Sequence, residues 1–92
     1  MTNQKASPNS HESDMIKDSN LQFLILHNDE KNSFDYVIES LMEECNHNSY
    51  QAEQCALLAH HKGKCDILKG ALIELIPIKI NLVQRGLTIT ID

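Results

Sequence analysis

The chain has 92 residues, 41 % of them hydrophobic, and a formal net charge of −5 at pH 7. This length suits one small domain, and with two Phe, two Tyr and no Trp its core must be mainly aliphatic. The eight Lys and Arg residues, against 13 Asp and Glu, exclude the clustered basic face that nucleic-acid binding requires. No apolar run approaches the roughly 20 residues of a membrane span. Because no signal sequence is evident either, we expect a cytoplasmic protein.

Residues 1–19 are polar, and their composition predicts a disordered tail ahead of a domain that spans residues 20–92. The apolar run Leu21–Leu26 predicts a first strand, followed by a polar loop. Apolar residues then recur with helical spacing over residues 34–45, which predicts an amphipathic helix. Ser33 or the Asn before it is suited to cap the start of this helix.

A second helix is predicted to begin at a capping Ser49 and to end at Gly63, where a glycine can adopt the left-handed conformation that closes a helix. Its apolar stripe consists of small side chains, which let another element approach closely or leave space beside the helix. A weaker strand is predicted over Lys64–Leu68, and Lys69–Gly70 is predicted to form a turn.

Helical spacing resumes at Leu72 and stops at Gly86. Pro77 lacks a backbone N–H and clashes with the preceding turn, so we expect this third helix to start near Glu74 or to be kinked. Residues 87–92 alternate apolar and polar side chains, which predicts a last strand. The order β-α-α-β-α-β predicts an α+β fold with three helices packed against a three-stranded antiparallel sheet.

The sequence offers little to support catalysis. Its three glycines are each explained by a helix stop or a turn, so no phosphate-binding loop is available. No serine lies in the G-x-S-x-G pattern of a nucleophile elbow. We therefore predict a protein that is not an enzyme.

The chain contains three cysteines: Cys45, Cys55 and Cys65. An odd number without a secretory signal predicts reduced thiols, most of them buried. Cys55 and Cys65 could in principle join His60 in a zinc site. The usual paired spacings of zinc ligands are absent, however, so we predict neither a metal nor another cofactor. We expect His47 and His61 to be exposed to solvent.

Two polar motifs, LILHNDE at residues 24–30 and HHKGK at residues 60–64, are separated by the predicted amphipathic helix. Their order and separation resemble the ClpS family of adaptors, and the resemblance extends over residues 21–92. It implies a non-enzymatic adaptor that binds the free N-terminal Leu, Phe, Tyr or Trp of a substrate protein. The implied partner is the N-terminal domain of a ClpA- or ClpC-type Clp ATPase, to whose protease the substrate is delivered.

The resemblance assigns Asn28, Asp29 and His60 to the substrate's α-amino group. This assignment is chemically reasonable because an α-ammonium group donates hydrogen bonds, and an amide oxygen, a carboxylate and a neutral imidazole nitrogen can all accept them. Such a set would distinguish a free N-terminus from an acetylated one. The alternative is that Asn28 and Asp29 are ordinary turn residues.

The resemblance also implies a hydrophobic pocket lined by Asn32, Phe34, Val37, Ala56, Ala59 and Thr88. The family usually has Thr, Pro and Met in place of Asn32, Ser33 and Phe34, and Met in place of Ala56. Phe34 therefore either leans towards Ala56 and narrows the pocket or stays in the helix stripe and leaves a deeper pocket for large aromatic residues. We favour the second arrangement.

The predicted order of elements also resembles the C-terminal domain of the ribosomal stalk protein. The alternative function is thus a general protein–protein interaction domain without specificity for N-terminal residues. In either case we expect a monomer that binds neither nucleic acid nor membranes.

Overall fold

The computed structural model describes residues 21–92. Their elements are strand β1 (Leu21–His27), helix α1 (Phe34–Cys45), helix α2 (Ser49–Lys62), strand β2 (Lys64–Ala71), helix α3 (Leu72–Gln84) and strand β3 (Thr88–Ile91). The predicted α+β fold, with its three helices and three-stranded antiparallel sheet, is confirmed. The predicted tail, residues 1–19, lies outside the described residues. Over the described residues, none of the helices combines the length and apolar character needed to cross a membrane.

Strand β1 is the central strand of the sheet, whose order is β2-β1-β3. Leu24, Ile25 and Leu26 of its apolar run are buried, because both edges are paired and the helices cover one face, whereas Phe23 is 36 % exposed. His27, the last residue of β1, pairs with Lys64 on one side and with Thr88 on the other. The loop that follows β1 therefore emerges beside the first residues of both neighbouring strands.

Helices α1 and α2 both start at side-chain caps. Ser33 Oγ accepts a hydrogen bond from the backbone N–H of Tyr36 at 3.1 Å, which confirms the predicted cap of α1. The predicted cap of α2 is wrong by one residue, because Asn48 Oδ1 accepts from the backbone N–H of Gln51 at 2.7 Å. Gly63 ends α2 in the left-handed conformation, with φ of 95°, as predicted.

Strand β2 is longer than predicted. Lys69 and Gly70 do not form a turn, because they pair with Phe23 and Gln22 of β1. A Cβ at Gly70 would lie 3.2 Å from Glu74 Oε1 of α3, so the glycine leaves room for this side chain at the start of the helix.

Helix α3 starts at Leu72, two residues before the predicted start near Glu74. Glu74 Oε1 accepts a hydrogen bond from the backbone N–H of Ala71 at 3.4 Å, which supports this earlier start. Pro77 consequently lies inside the helix and cannot donate to the carbonyl of Ile73. Ile73 is 81 % exposed, so this missing hydrogen bond lies on the solvent side of the helix.

The core lies between the helices and one face of the sheet. Its buried members are Leu24, Leu26, Leu41, Cys45, Ala52, Ala59, Cys65, Ile67, Leu75, Leu82, Leu87 and Ile89. The prediction of an aliphatic core is confirmed, and so is burial for two of the three cysteines. The expectation that His47 is exposed is wrong. Its ring is buried because Nε2 donates to the carbonyl of Ile67 at 2.8 Å.

The end of α3 is fastened to α1 by Arg85. Its Nε lies 2.9 Å from Glu44 Oε2, and its Nη2 forms an ion pair with Glu43. Hydrogen bonds to Glu43 and Glu44 raise the pKa of the Arg85 guanidinium. Tyr36 Oη donates to the carbonyl of Arg85 at 2.8 Å. The Arg85 side chain is thus held against the last turn of α1, and its backbone carbonyl is held by Tyr36 in the first turn.

Candidate functional site

A pocket opens where the loop after β1 meets the first turn of α1 and the last turns of α2. It encloses about 210 Å³. Its lining consists of Leu26, His27, Asn28, Asp29, Glu30, Asn32, Phe34, Val37, Ala56, Ala59 and His60. Two stretches that are distant in the sequence, residues 26–37 and 56–60, thus share one cavity.

The three residues assigned to the α-amino group lie in this lining. The backbone N–H of Asn28 donates to the carbonyl of Gly63 at 2.9 Å, which ties the loop to the end of α2 next to His60. Asn28 and His60 are exposed and Asp29 is half-buried. The amide of Asn28, the carboxylate of Asp29 and the imidazole of His60 therefore line a single pocket, although they come from two stretches of the sequence.

The carboxylate of Asp29 also shapes the loop. Its Oδ1 accepts from the backbone N–H groups of Lys31 at 3.0 Å and of Asn32 at 3.2 Å. Asp29 is therefore a turn residue, which was the alternative interpretation of this position. The two hydrogen bonds also fix the orientation of its carboxylate in the pocket lining. The shorter bonds fall on Oδ1, whereas Oδ2 has, within the described part of the chain, only the contacts from Asn32 Nδ2 at 3.3 Å and Thr88 Oγ1 at 3.4 Å. A ligand's ammonium would compete with these two longer bonds at Oδ2.

Asn32 connects this loop to the far end of the chain. Its Nδ2 donates to Asp29 Oδ1 at 3.2 Å and to the carbonyl of Gly86 at 2.9 Å. Gly86 has φ of 92°, a conformation that suits glycine. Asn32 therefore lines the pocket and also anchors the loop to the connection between α3 and β3.

Thr88 lies beside the pocket and is absent from its lining. Its Oγ1 donates to Asp29 Oδ2 at 3.4 Å, because the pairing of β1 with β3 places Thr88 opposite His27. The structure therefore gives Thr88 a supporting contact with the carboxylate instead of a place in the wall.

The apolar part of the pocket has a floor of small or fully covered side chains. Leu26, Ala56 and Ala59 are 2 %, 5 % and 3 % exposed, and Val37 is half-buried. Phe34 also lines the pocket and is 39 % exposed, so it contributes to the wall; the preference for a deep pocket over a narrowed one stays a prediction. Phe34 is the first residue of α1.

Sequence reasoning missed three residues of the lining: Leu26, His27 and Glu30. Each is adjacent or nearly adjacent to the Asn28-Asp29 pair, so proximity to the motif was the available signal. The His27 ring is held by a hydrogen bond between Nε2 and Thr90 Oγ1 at 2.7 Å. That contact depends on strand pairing and has no local signature. Among residues 21–92, no group of three or more His, Cys, Asp or Glu side chains is arranged to hold a metal ion.

Comparisons with known proteins agree with this architecture. A sequence model of the family described as ATP-dependent Clp protease adaptor protein ClpS matches residues 17–85. A search of curated proteins found no match. Among solved structures, 17 chains match.

One of these structures is Agrobacterium tumefaciens ClpS2 bound to L-phenylalaninamide. It has a TM-score of 0.67 and 13 % sequence identity, and the match covers 79 % of this chain and 95 % of that chain. At such low identity this likeness shows the fold alone. The family match is stronger support, because it extends over more than half of the chain. The chain therefore belongs to the ClpS family of ATP-dependent Clp protease adaptor proteins.

Proposed function

We propose that this domain binds the first residue of substrate proteins whose N-terminus is free, when that residue is Leu, Phe, Tyr or Trp. The observation that supports this most directly is that one pocket combines hydrogen-bond acceptors with an apolar floor. An N-terminal residue presents an ammonium group and a side chain on the same carbon atom. A ligand of this shape can place its ammonium at Asn28, Asp29 and His60 while its side chain contacts Ala56 and Ala59.

Charge favours the same ligand. An α-amino group has a pKa of about 8, so it is largely protonated at neutral pH. It then carries a positive charge towards the half-buried carboxylate of Asp29 and the exposed carboxylate of Glu30. Acetylation removes the charge and leaves a single N–H donor, so an acetylated N-terminus should bind much more weakly.

The ligand of the Agrobacterium protein has the corresponding chemistry. L-phenylalaninamide carries a free α-amine, a benzyl side chain and an amide that stands in for the first peptide bond. We infer that a ligand of this type suits the present pocket as well. The inference rests on family membership and on the acceptors and apolar floor described above.

The side-chain part of the pocket favours aromatic first residues over Leu. Ala56 and Ala59 leave space at the floor, and Phe34 offers an aromatic surface at the wall. Aromatic pairs gain roughly 0.5–1.5 kcal/mol beyond the burial of apolar area. This advantage is available to Phe, Tyr and Trp and is denied to Leu.

We further propose that the bound substrate is delivered to a Clp protease through the N-terminal domain of a ClpA- or ClpC-type ATPase. The domain would act as a monomer in the cytoplasm. Membership of the adaptor family supports this part of the proposal. A reporter that starts with Phe should be degraded faster by the purified protease when this domain is added. An unchanged rate would contradict delivery while leaving N-terminal binding intact.

Fluorescence anisotropy tests the binding step. We expect a labelled peptide that begins with Phe to bind, and the same peptide with an acetylated N-terminus to bind at least about tenfold more weakly, as expected for loss of about 1.4 kcal/mol. The alternative, a general interaction domain, predicts equal affinity for the two peptides. Equal affinity would therefore overturn the proposed function.

A further inference from the structure

The side-chain amide of Asn32 joins two parts of the fold beside the pocket. Its Nδ2 donates to the carbonyl of Gly86 at 2.9 Å and to Asp29 Oδ1 and Oδ2 at 3.2 and 3.3 Å. An NH₂ group has two hydrogen atoms. One serves Gly86, and the other is shared between the two carboxylate oxygens of Asp29. The side chain therefore bridges this carboxylate and the connection between α3 and β3.

The Gly86 end of the bridge is part of the packed domain. The backbone N–H of Gly86 donates to the carbonyl of Val83 in the last turn of α3 at 2.9 Å. The carbonyl of the preceding residue, Arg85, accepts from Tyr36 Oη of α1 at 2.8 Å. Asn32 thus gives the carboxylate of Asp29 an anchor outside its own loop.

The remaining contacts of Asp29 are local or long. Its Oδ1 accepts from the backbone N–H groups of Lys31 and Asn32, which belong to the same loop and move with it. Its Oδ2 would keep the 3.4 Å contact with Thr88, which is the longest contact of this carboxylate. The position of Oδ2 therefore depends most on the amide of Asn32.

We propose that Asn32 is a positioning residue for the substrate's α-ammonium group and acts through Asp29. This inference rests on the proposed function, because it concerns how the carboxylate is held for that ligand. When an ammonium binds at Oδ2, the shared hydrogen of Asn32 can move wholly to Oδ1, so no donor of Asn32 is left unpaired. The bridge thus orients the carboxylate and still leaves one acceptor position to the ligand.

The bridge requires an amide at position 32. The Thr that is usual in the family has a volume close to that of Asn but a single O–H donor, which can serve Asp29 or Gly86 and not both at once. Ala has no side-chain donor. Asn32→Thr and Asn32→Ala therefore remove one end of the bridge and both ends, respectively.

Fluorescence anisotropy of the full chain with a Phe-initiated peptide and its acetylated form tests the inference. Asn32→Ala should raise the Kd of the free peptide about three- to tenfold and leave the Kd of the acetylated peptide nearly unchanged. In the Asp29→Asn background, the same substitution should change the Kd of the free peptide less than about twofold, because the charge that Asn32 orients is already lost. Asn32→Thr should give a Kd between those of wild type and Asn32→Ala.

Ser33→Ala is the matched control, since the Ser33 hydroxyl accepts from the backbone of Tyr36 and caps α1. It should lower the midpoint of urea unfolding without changing the ratio of the two Kd values. A purely structural role of Asn32 predicts this same pattern, and a wall contact with the first side chain predicts equal losses for the two peptides. Either result for Asn32→Ala would overturn the inference and leave the proposed function standing.

Asn32→Thr keeps the test decisive if Asn32→Ala fails to fold. A wild-type ratio of Kd values in Asn32→Thr would show that one donor is sufficient, which would also overturn the inference. If wild type itself bound the free and acetylated peptides equally, the proposed function would fall, and this inference with it. Discrimination by wild type that is reduced in both variants is the result that we expect.

Discussion

Replacing Asp29 by Asn should separate the two roles of this carboxylate. An Asn at this position keeps an amide oxygen for the backbone N–H groups of Lys31 and Asn32, which now lie 3.0 and 3.2 Å from Oδ1. Its NH₂ group, in place of Oδ2, can donate to the hydroxyl of Thr88, which can also act as an acceptor. Asn32 Nδ2 loses its 3.3 Å bond to Oδ2 and keeps its 3.2 Å bond to the amide oxygen at Oδ1. The loop should therefore be retained, while the negative charge that faces the substrate's ammonium is lost.

The expected size of the effect follows from this difference. A hydrogen bond to a charged group is worth about 1.5–3 kcal/mol, and a neutral one about 0.5–1.5 kcal/mol. Asp29→Asn should thus cost about 1–2 kcal/mol of binding free energy, or roughly a 5- to 30-fold higher Kd. Asp29→Ala removes the acceptor as well, which leaves the half-buried Asn32 N–H unpaired and should cost a further 1–3 kcal/mol or so of unfolding free energy.

Anisotropy titrations with a Phe-initiated peptide measure the binding term, and urea unfolding of both variants measures the stability term. The acetylated peptide is the matched control, because its affinity should hardly change between wild type and Asp29→Asn. The reasoning is refuted if Asp29→Asn binds the free peptide as tightly as wild type. It is also refuted if the Asn and Ala variants lose stability equally.

Three further predictions concern the pocket floor, the core and the buried thiols. Ala56→Met, which restores the usual family residue, should weaken binding of peptides that begin with Phe or Trp more than those that begin with Leu; anisotropy would contradict this if all three weakened equally. Leu41→Ala should cost about 2–5 kcal/mol in urea unfolding because Leu41 is fully buried, and the control Leu58→Ala, at 45 % exposure, should cost clearly less. Because the Cys45 pKa rises from 9.0 to about 12 on folding, its thiol loses its proton first in the unfolded state. The free energy of unfolding should be unaffected by this group below pH 9 and fall above it by up to about 1.4 kcal/mol per pH unit, and unfolding curves of Cys45→Ala should show a shallower fall.

Elements that depend on local pattern were predictable from the sequence. The stripe over residues 34–45 gives helix α1 with its observed bounds, because an amphipathic face and a Ser cap are both local signals. Gly63 likewise marks the end of α2. The start of α3 was predicted wrongly from Pro77, because proline is unfavourable inside a helix. The hydrogen bond from the backbone N–H of Ala71 to Glu74 stabilises the earlier start.

Features that depend on distant partners were not predictable. Glycine is typical of turns, and only the pairing of Gly70 with Gln22 shows that it belongs to β2. His47 is polar, and only the carbonyl of Ile67 explains its burial. In the same way, the hydrogen bond between Asn32 and Gly86 joins residues 54 positions apart and arises from the packing of the loop against the α3–β3 connection.

The candidate site shows the same division. Asn28, Asp29 and His60 could be named from the resemblance to the ClpS family, and the structure brings them into one lining. The exposure of Phe34 could not be predicted, because it depends on how the first turn of α1 packs beside the loop after β1 and the last turns of α2. Thr88 could be proposed as a site residue from the resemblance. Its contact with Asp29 could not be predicted, since that contact requires the pairing of β1 with β3.

The most direct test of the central claim is an NMR titration of the full chain with L-phenylalaninamide and, in parallel, with its N-acetyl derivative. The free amine should cause saturable shifts in the amide signals of Asn28, Asp29 and His60, and the acetylated compound should cause almost none. Equal shifts from the two compounds, or shifts confined to residues outside the pocket lining, would contradict the account.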